Sequence, residues 1–403
     1  MNEWKECKLE DLAENRKRAI ISGPFGSNIS SKYFTLNGIP VIRGNNLSLK
    51  IGIKFIDKDF VFLSEEKAEE LGTWATKDDL IFTAAGTIGQ VAILTGKEKY
   101  QKYIISNKQL RVTLDKDKIL PLFAYYWFAS PETKDTIQQS DTGSTIPLIN
   151  LTVLRSLPIL LPPLAEQKAI AGVLSALDDK IDLLHRQNKT LEAMAEALFR
   201  QWFVEEAEES WEEVPLSFFG EIVCGKTPSK QVHNYFGGEI PFIKIPDMHG
   251  KVYLFETSDS LTVEGKLSQA NKTIPPMSIC VSCIATVGLV SLNTVESQTN
   301  QQINSIVPKE SFYRYFLFLT MKSLYDLLNS MASGGTATLN LNTGDFSNIL
   351  IIYPGKNKLI QFQEEIEPHF KKIYFNTNQI RSLENLRDTL LPKLMSGDVR
   401  VEV

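Results

Sequence analysis

The sequence predicts an α+β chain: two β-rich domains joined by two long antiparallel helices that form an intramolecular coiled coil, the whole a pseudo-twofold tandem repeat. Three observations predict it. Residues 162–203 form the longest run without a helix breaker, rich in Ala, Leu, Glu, Lys and Gln, after a Pro162-Pro163 start suited to a first turn. A second run of the same kind lies near the C-terminus, and the segments before the two runs share motifs at a period near 192 to 201 residues.

In the first long run the apolar positions step by three and four: Ile170, Leu174, Leu177, Ile181, Leu184, Asn188, Leu191, Ala195, Leu198 and Trp202. The second continues the pattern through Leu359, Phe362, Ile366, His369, Ile373, Asn376, Ile380, Leu383, Arg387, Leu390 and Leu394. Such heptad seams require a partner helix. An antiparallel pairing in which facing positions sum to 564 sets Asn188 opposite Asn376, Leu184 opposite Ile380 and Trp202 opposite Phe362. Slipping by a heptad would bury each amide against hydrocarbon, so the Asn188–Asn376 pair is expected to fix register. Arg387, facing Leu177, is expected to run its stem along the seam with its head in water.

The domains then follow in order. Residues 1–161 form the first, residues 162–204 the first long helix, 205–213 an acidic linker, 214–355 the second domain, and 356–403 the second helix with its tail. Within the domains the apolar runs are short, β-rich and bounded by Gly, Pro, Asn or Asp: PVIRG, KFIDKDFVFL and DLIFTAA in the first, PFIKI and MSICVSC in the second. Residues 64–72, 119–130 and 312–330 read as helical. Repeats are visible residue by residue: IPVIRGNNL matches IPFIKIPDM, SNKQL matches TNQQI, and TLEAMAEALF matches SLENLRDTLL. About 33 seam residues make a rod of roughly 50 Å. Two modules on such a rod would read two short duplex segments separated by an unread gap.

The net charge is −5, but it is unevenly spread: residues 164–213 carry 5 basic and 12 acidic side chains, whereas residues 1–163 carry 21 and 19. The domains are thus free to present local positive faces. There is no run of eighteen apolar residues and the N-terminal stretch is polar, so a cytoplasmic protein is expected. Of four cysteines only Cys280 and Cys283 are close, in a strand-like run with no nearby His, so no metal and no cofactor is expected.

Four stretches carry a resemblance: SGPFGS near the start, GSTIPLINLTVLRSLPI, then LPILLPPLAEQKAIAGVLSALDDKIDLLHRQNKTLEAMAEALFRQWF, and C-terminal SLENLRDTLLPKLMSGDV. With them, essentially the whole chain resembles the specificity (S) subunit of a type I restriction-modification system. The second copy departs in its helix start, which reads YPGKNKLIQFQEEI. The resemblance implies a non-catalytic subunit with two target-recognition domains, each reading one half of an asymmetric bipartite DNA site. It also implies that the coiled coil sets the spacing and docks two adenine-methyltransferase subunits. Two restriction subunits, with ATP-dependent endonuclease activity, would join that core.

Candidate DNA contacts are read from loop chemistry. Ser22, Gly23, Phe25 and Ser27 lie in a Gly/Pro loop suited to a phosphate backbone, and Lys226, Thr227 and Lys230 in its counterpart. Arg43, Asn45 and Asn46 follow a strand, with Lys244 and Asp247 at matching positions; Arg and Asn pair with guanine and adenine edges. Lys108 and Gln109 match Gln301 and Gln302, and the loops holding Thr145 and Thr336 offer hydroxyls. Each has a plainer reading as a turn or strand end. A solitary methyltransferase would need an Asp/Asn-Pro-Pro-Tyr/Phe turn, and the only Pro-Pro pairs here are LPPL and IPPM. Pro246-Asp247 with Glu264 and Lys266 matches a magnesium-nuclease pattern that the first repeat lacks. An interaction scaffold is the remaining alternative.

Overall fold

The computed structural model describes residues 4–143, 145–333 and 339–401. It divides into two compact units, Met1–Asp182 with Ser382–Val403, and Leu183–Arg381.

Short β-branched and aromatic runs build two sheets in the first unit. Ile20–Ser22, Gln109–Val112, Leu80–Thr83 and Val91–Ile93 form an antiparallel sheet in that spatial order. The other sheet runs Phe34–Thr35, Val61–Leu63, Ile39–Ile42, Lys102–Ile105, Trp74–Thr76; only Ile39–Ile42 and Lys102–Ile105 are parallel. A ribbon of Lys5–Lys8 with Pro158–Leu161 leads into the first long helix. The main core joins Phe82 and Val91 of the first sheet, Phe123, Tyr126 and Phe128 of helix Pro121–Ala129, and Ile170, Leu174, Leu391 and Leu394 of the long helices.

The second unit repeats this topology. Gly220–Cys224, Ile303–Pro308, Ile279–Ser282 and Val290–Asn293 reproduce the antiparallel order, extended by Tyr253–Leu254. Asp259–Leu261, Phe236–Ile243, Ser297–Thr299 and Thr273–Ile274 reproduce the other sheet, again with one parallel pair, Phe236–Ile243 with Ser297–Thr299. Glu212–Pro215 pairs with Leu350–Tyr353 as the matching ribbon. Of the CVSC run, Cys280 to Ser282 are strand and Cys283 lies just beyond, and burial pushes the thiols up, Cys280 to about 12 and Cys283 to about 11, so both stay protonated.

The long helices span Leu164–Arg200 and Lys356–Ser396. In the second unit they pair antiparallel in the expected register: Asn376 Nδ2 donates to Asn188 Oδ1 at 2.9 Å, Leu184 and Ile380 are buried, and the Trp202 and Phe362 rings lie 5.7 Å apart. The seam shifts by one residue at several layers. Asp178, Phe199, Phe203, Phe370 and Leu391 are buried where Leu177, Leu198, Trp202, His369 and Leu390 are only half-buried. A helix of 3.6 residues per turn drifts by about 20° per heptad against a 3.5 repeat, which hands the buried position to the next residue. The expected helical run 312–330 is broken in two at Leu324, and 119–130 ends on Ser130, which caps a further helix, Pro131–Gln139. In KFIDKDFVFL only Val61–Leu63 is strand.

Arg387 corrects the sequence reading. It does not snorkel: it is buried in the first unit, its Nη1 3.1 Å from Asp178 Oδ1, with Tyr126 donating its hydroxyl to Asp178 Oδ2 and Lys54 Nζ at 3.6 Å. The seam shift that buries Asp178 supplies the partner that Leu177 lacks. Burial first, then the Asp178 charge, push the Tyr126 hydroxyl far up, so it remains a neutral donor. Arg387→Ala leaves a buried carboxylate without its guanidinium and is expected to cost about 3–5 kcal/mol. Replacing both partners with packed apolar residues, Asp178→Leu with Arg387→Met, is expected to cost much less. Denaturant midpoints of both variants test this, and equal losses would remove the ion pair as the cause.

Candidate nucleic-acid interface

The parallel strand pair organises each candidate site, because it delivers two loops to the same end. In the first unit Val41 and Ile42 pair with Ile104 and Ile105, and Ser106 N donates to Ile42 O at 2.9 Å. Arg43 and Asn45 therefore emerge beside Ser106, Asn107 and Lys108. A third loop joins them from the other sheet: Ser22 pairs with Leu110, and Gly23 N donates to Gln109 O at 2.9 Å. The loop holding Thr145 is tied to the same region, since Ala84 N donates to Lys108 O and Ile149 N to Ala84 O.

The second unit repeats the convergence. Ile243 pairs with Thr299, Asn300 N donates to Ile243 O at 3.1 Å, and Lys226 N donates to Thr299 O at 2.9 Å. Lys244, Gln301 and the 225–230 loop are brought together. Gly23 and Gly225 make these approaches possible: a Cβ on either would overlap the backbone carbonyl of Ser106 or of Asn300.

Most of these side chains are exposed, and several are committed to partners within the fold. Ser22, Phe25, Ser27, Asn45, Lys108, Thr145, Lys226, Lys230 and Gln301 are exposed. Arg43 is half-buried, its Nη2 donating to Asp59 O at 3.2 Å, and Asn45 Nδ2 reaches the same carbonyl at 3.3 Å. Lys244, half-buried, is ion-paired with Asp259. Thr227 donates to Gln301 Oε1 at 2.7 Å, and Gln302, half-buried, accepts from Asn300 Nδ2 at 2.9 Å. Lys230 and Asp259 line one shallow groove with His233 and Phe236.

Three expected contacts are spent inside the fold. Asn46 is fully buried; its Oδ1 accepts from Arg43 N and its Nδ2 donates to Ile56 O and Lys58 O. Asp247, also buried, accepts from Lys244 N at 2.9 Å and Ser258 N at 2.8 Å. Gln109 is buried and accepts from Ser106 Oγ. Asn46 and Asp247 shape the loops, since a turn that leaves a strand must satisfy its own amides; Gln109 stands in the strand itself. Thr336 lies outside the described residues. Of the nuclease pattern, Asp247 is so engaged and Lys266 is ion-paired with Glu296; among the described residues no three His, Cys, Asp or Glu are placed to hold a metal ion.

Sequence reasoning missed the supports. Gln269 donates to Lys226 O at 2.6 Å and to Gln298 Oε1 at 2.8 Å, and Gln298 in turn bonds Lys266 O and Thr273 Oγ1. Also missed were Asp259, whose carboxylate pairs with Lys244, and Asp59, whose backbone carbonyl holds Arg43 and Asn45.

A family model described as "Type I restriction modification DNA specificity domain" matches residues 1–193 and again 208–385. The chain belongs to this family. It is 33% identical to a type I restriction enzyme HindI specificity subunit of Haemophilus influenzae, over 99% of this chain and all of the relative. It is 25% identical to the MjaIX specificity subunit of Methanocaldococcus jannaschii, over 99% of this chain and 94% of that one. The fold is similar to the crystal structure of a type I restriction-modification S subunit from M. genitalium, with a TM-score of 0.63 and 16% identity over 98% of this chain and 96% of that one. Two family-model matches in one chain coincide with the two units' repeated sheets. No helix among the described residues is long and apolar enough to cross a membrane.

If the glycine approach holds the family's loops in place, Gly225→Ala should displace the 225–230 loop from Asn300. The expected cost is about 1–3 kcal/mol, as for other overpacking substitutions. Amide exchange at Gly225 and Lys226 should accelerate; unchanged exchange would show the approach to be dispensable.

Proposed function

We propose that this chain is the DNA-reading subunit of a type I restriction-modification complex, itself non-catalytic, with each unit reading one half of an asymmetric bipartite duplex site. The observation that carries it is the repeated convergence of three loops at one end of a parallel strand pair. Each set combines cations, amides and hydroxyls on a scaffold held by backbone hydrogen bonds. Phosphate contacts from Lys108, Lys226, Lys230, Ser22, Ser27 and Thr145 would set position, and Arg43, Asn45, Lys244 and Gln301 would address base edges. Gly23, Thr227 and Gln302 would hold the loops that present them.

The target-recognition domains are assigned to residues 1–161 and 214–355, with 205–213 as linker. The long helices would set the half-site spacing, the Asn188–Asn376 pair would hold their register, and two adenine-methyltransferase subunits would dock on them. Adenine-N6 methylation and ATP-dependent cleavage belong in this reading to partner subunits, two methyltransferase and two restriction, in a cytoplasmic complex.

The deciding experiment is methylation mapping by long-read sequencing in cells expressing the chain with an adenine methyltransferase encoded beside it, against cells lacking the chain. A bipartite adenine-methylated motif is expected only with the chain. Inserting one heptad into each long helix should lengthen its gap; a motif of unaltered spacing would refute the ruler. If no motif appears although the methyltransferase is expressed and folded, an interaction scaffold replaces this reading.

Alanine at Arg43 or at Lys244 should relax sequence choice in one half-site only, by about 1–3 kcal/mol at the base addressed. Lys108→Ala should weaken binding evenly across sequences and lower the salt slope by about one. A uniform loss at Arg43 would reassign it to a phosphate.

A further inference from the structure

The two loop sets are not chemically equivalent, and the difference is an aromatic ring. Phe25 is 83% exposed, more than any other aromatic side chain among the described residues. It sits two residues beyond the point where Gly23 N is pinned to Gln109 O. Behind it, Asn28 N donates to Phe25 O at 2.8 Å in a short helical turn anchored by buried Ile29. A Cβ on Gly26 would stand 3.1 Å from Asn107 Nδ2, so the tip is braced against the Asn107–Lys108 turn, both of whose side chains are exposed. The ring is thus exposed on a loop anchored at both ends, next to the turn that carries Asn107 and Lys108. At the matching position of the second unit stands Thr227, whose hydroxyl is committed to Gln301.

We propose that Phe25 is a wedge that enters a base step of the half-site read by the first unit, unstacking it, while the second unit reads its half without insertion. The proposal rests on the DNA-reading function above. A wedge needs an apolar side chain that costs little entropy to present, a backbone that does not yield, and a charge beside it to hold the phosphates of the opened step. Phe25, the Gly23 to Ile29 anchor and Lys108 meet these needs. The opened step adds specificity without a base-edge contact, because steps differ in the energy needed to unstack them.

The test uses the full chain assembled with its methyltransferase subunits and duplexes carrying the mapped site. 2-Aminopurine is placed at successive steps of either half-site, away from the methylated adenine. The wild-type complex should raise 2-aminopurine emission at one step of one half-site. Phe25→Ala should abolish that rise and weaken binding about tenfold, the scale of losing one aromatic–base contact, with an unchanged melting temperature. Phe25→Leu, which keeps an apolar wedge, should retain the rise. Equal affinity and emission for Phe25→Ala overturns the wedge while leaving the DNA-reading function standing. Loss of the rise in Phe25→Leu as well assigns the ring to face stacking and also overturns insertion. A wild-type complex with no specific duplex binding overturns both readings together.

Discussion

No side chain fits between residue 23 and the Ser106 carbonyl, or between residue 225 and that of Asn300. This exclusion is what lets a loop from one sheet lie against the end of a strand from the other. The backbone bonds beside it, Gly23 N to Gln109 O and Gly225 N to Ile303 O, continue the ladder of each loop's own sheet. Once they form, the loop's direction is fixed by main chain and its exposed side chains are spared from holding it. Exposed loop side chains on such a frame can be exchanged at little cost to the fold.

The long helices solve a different problem by burying polar groups. An apolar seam is nearly indifferent to a slip of seven residues, since every layer still meets a hydrocarbon. The amides of Asn188 and Asn376 are not indifferent, because out of register each would lose its partner in a dry seam. Arg387 and Asp178 do the same for the first unit with charges, at greater desolvation cost. Tyr126 and Lys54 take part in this arrangement, so the seam is tied to the helix and the loop packed on it. Both devices bury polar groups at a desolvation cost that only their partners offset.

Much of the fold was legible in the sequence because periodicity and repetition are one-dimensional signals. The two seams, the register through Asn188, and the matched strands around Ile42 and Ile243 could all be read from spacing. The handover from Leu177 to Asp178 could not, since it depends on how far a real helix departs from an ideal 3.5 repeat. At the candidate site, residue type located the loops but not the state of each side chain. Asn46 and Asp247 look like readers of base edges, yet both follow a strand whose turn has amides to satisfy, and backbone demands came first. Lys244 looks free in sequence and is held by Asp259, a residue fifteen positions on that only the sheet brings alongside.

The two copies share a frame but not their chemistry, as the proposed asymmetric target would require. If both units carried the same side chains, the two halves of that proposed target would be read alike. Arg43 against Lys244, Lys108 against Gln301, and Phe25 against Thr227 are replacements at matched places in the same frame. In the proposed reading each would alter how a half-site is held: a planar fork becomes a point charge, a cation becomes an amide, a ring becomes a tethered hydroxyl. The two copies repeat one geometry, and replacements at a few loop positions would, in the proposed reading, be sufficient to make the halves read differently. Gly23 and Gly225, at the closest point of the frame, are where any side chain would collide with backbone.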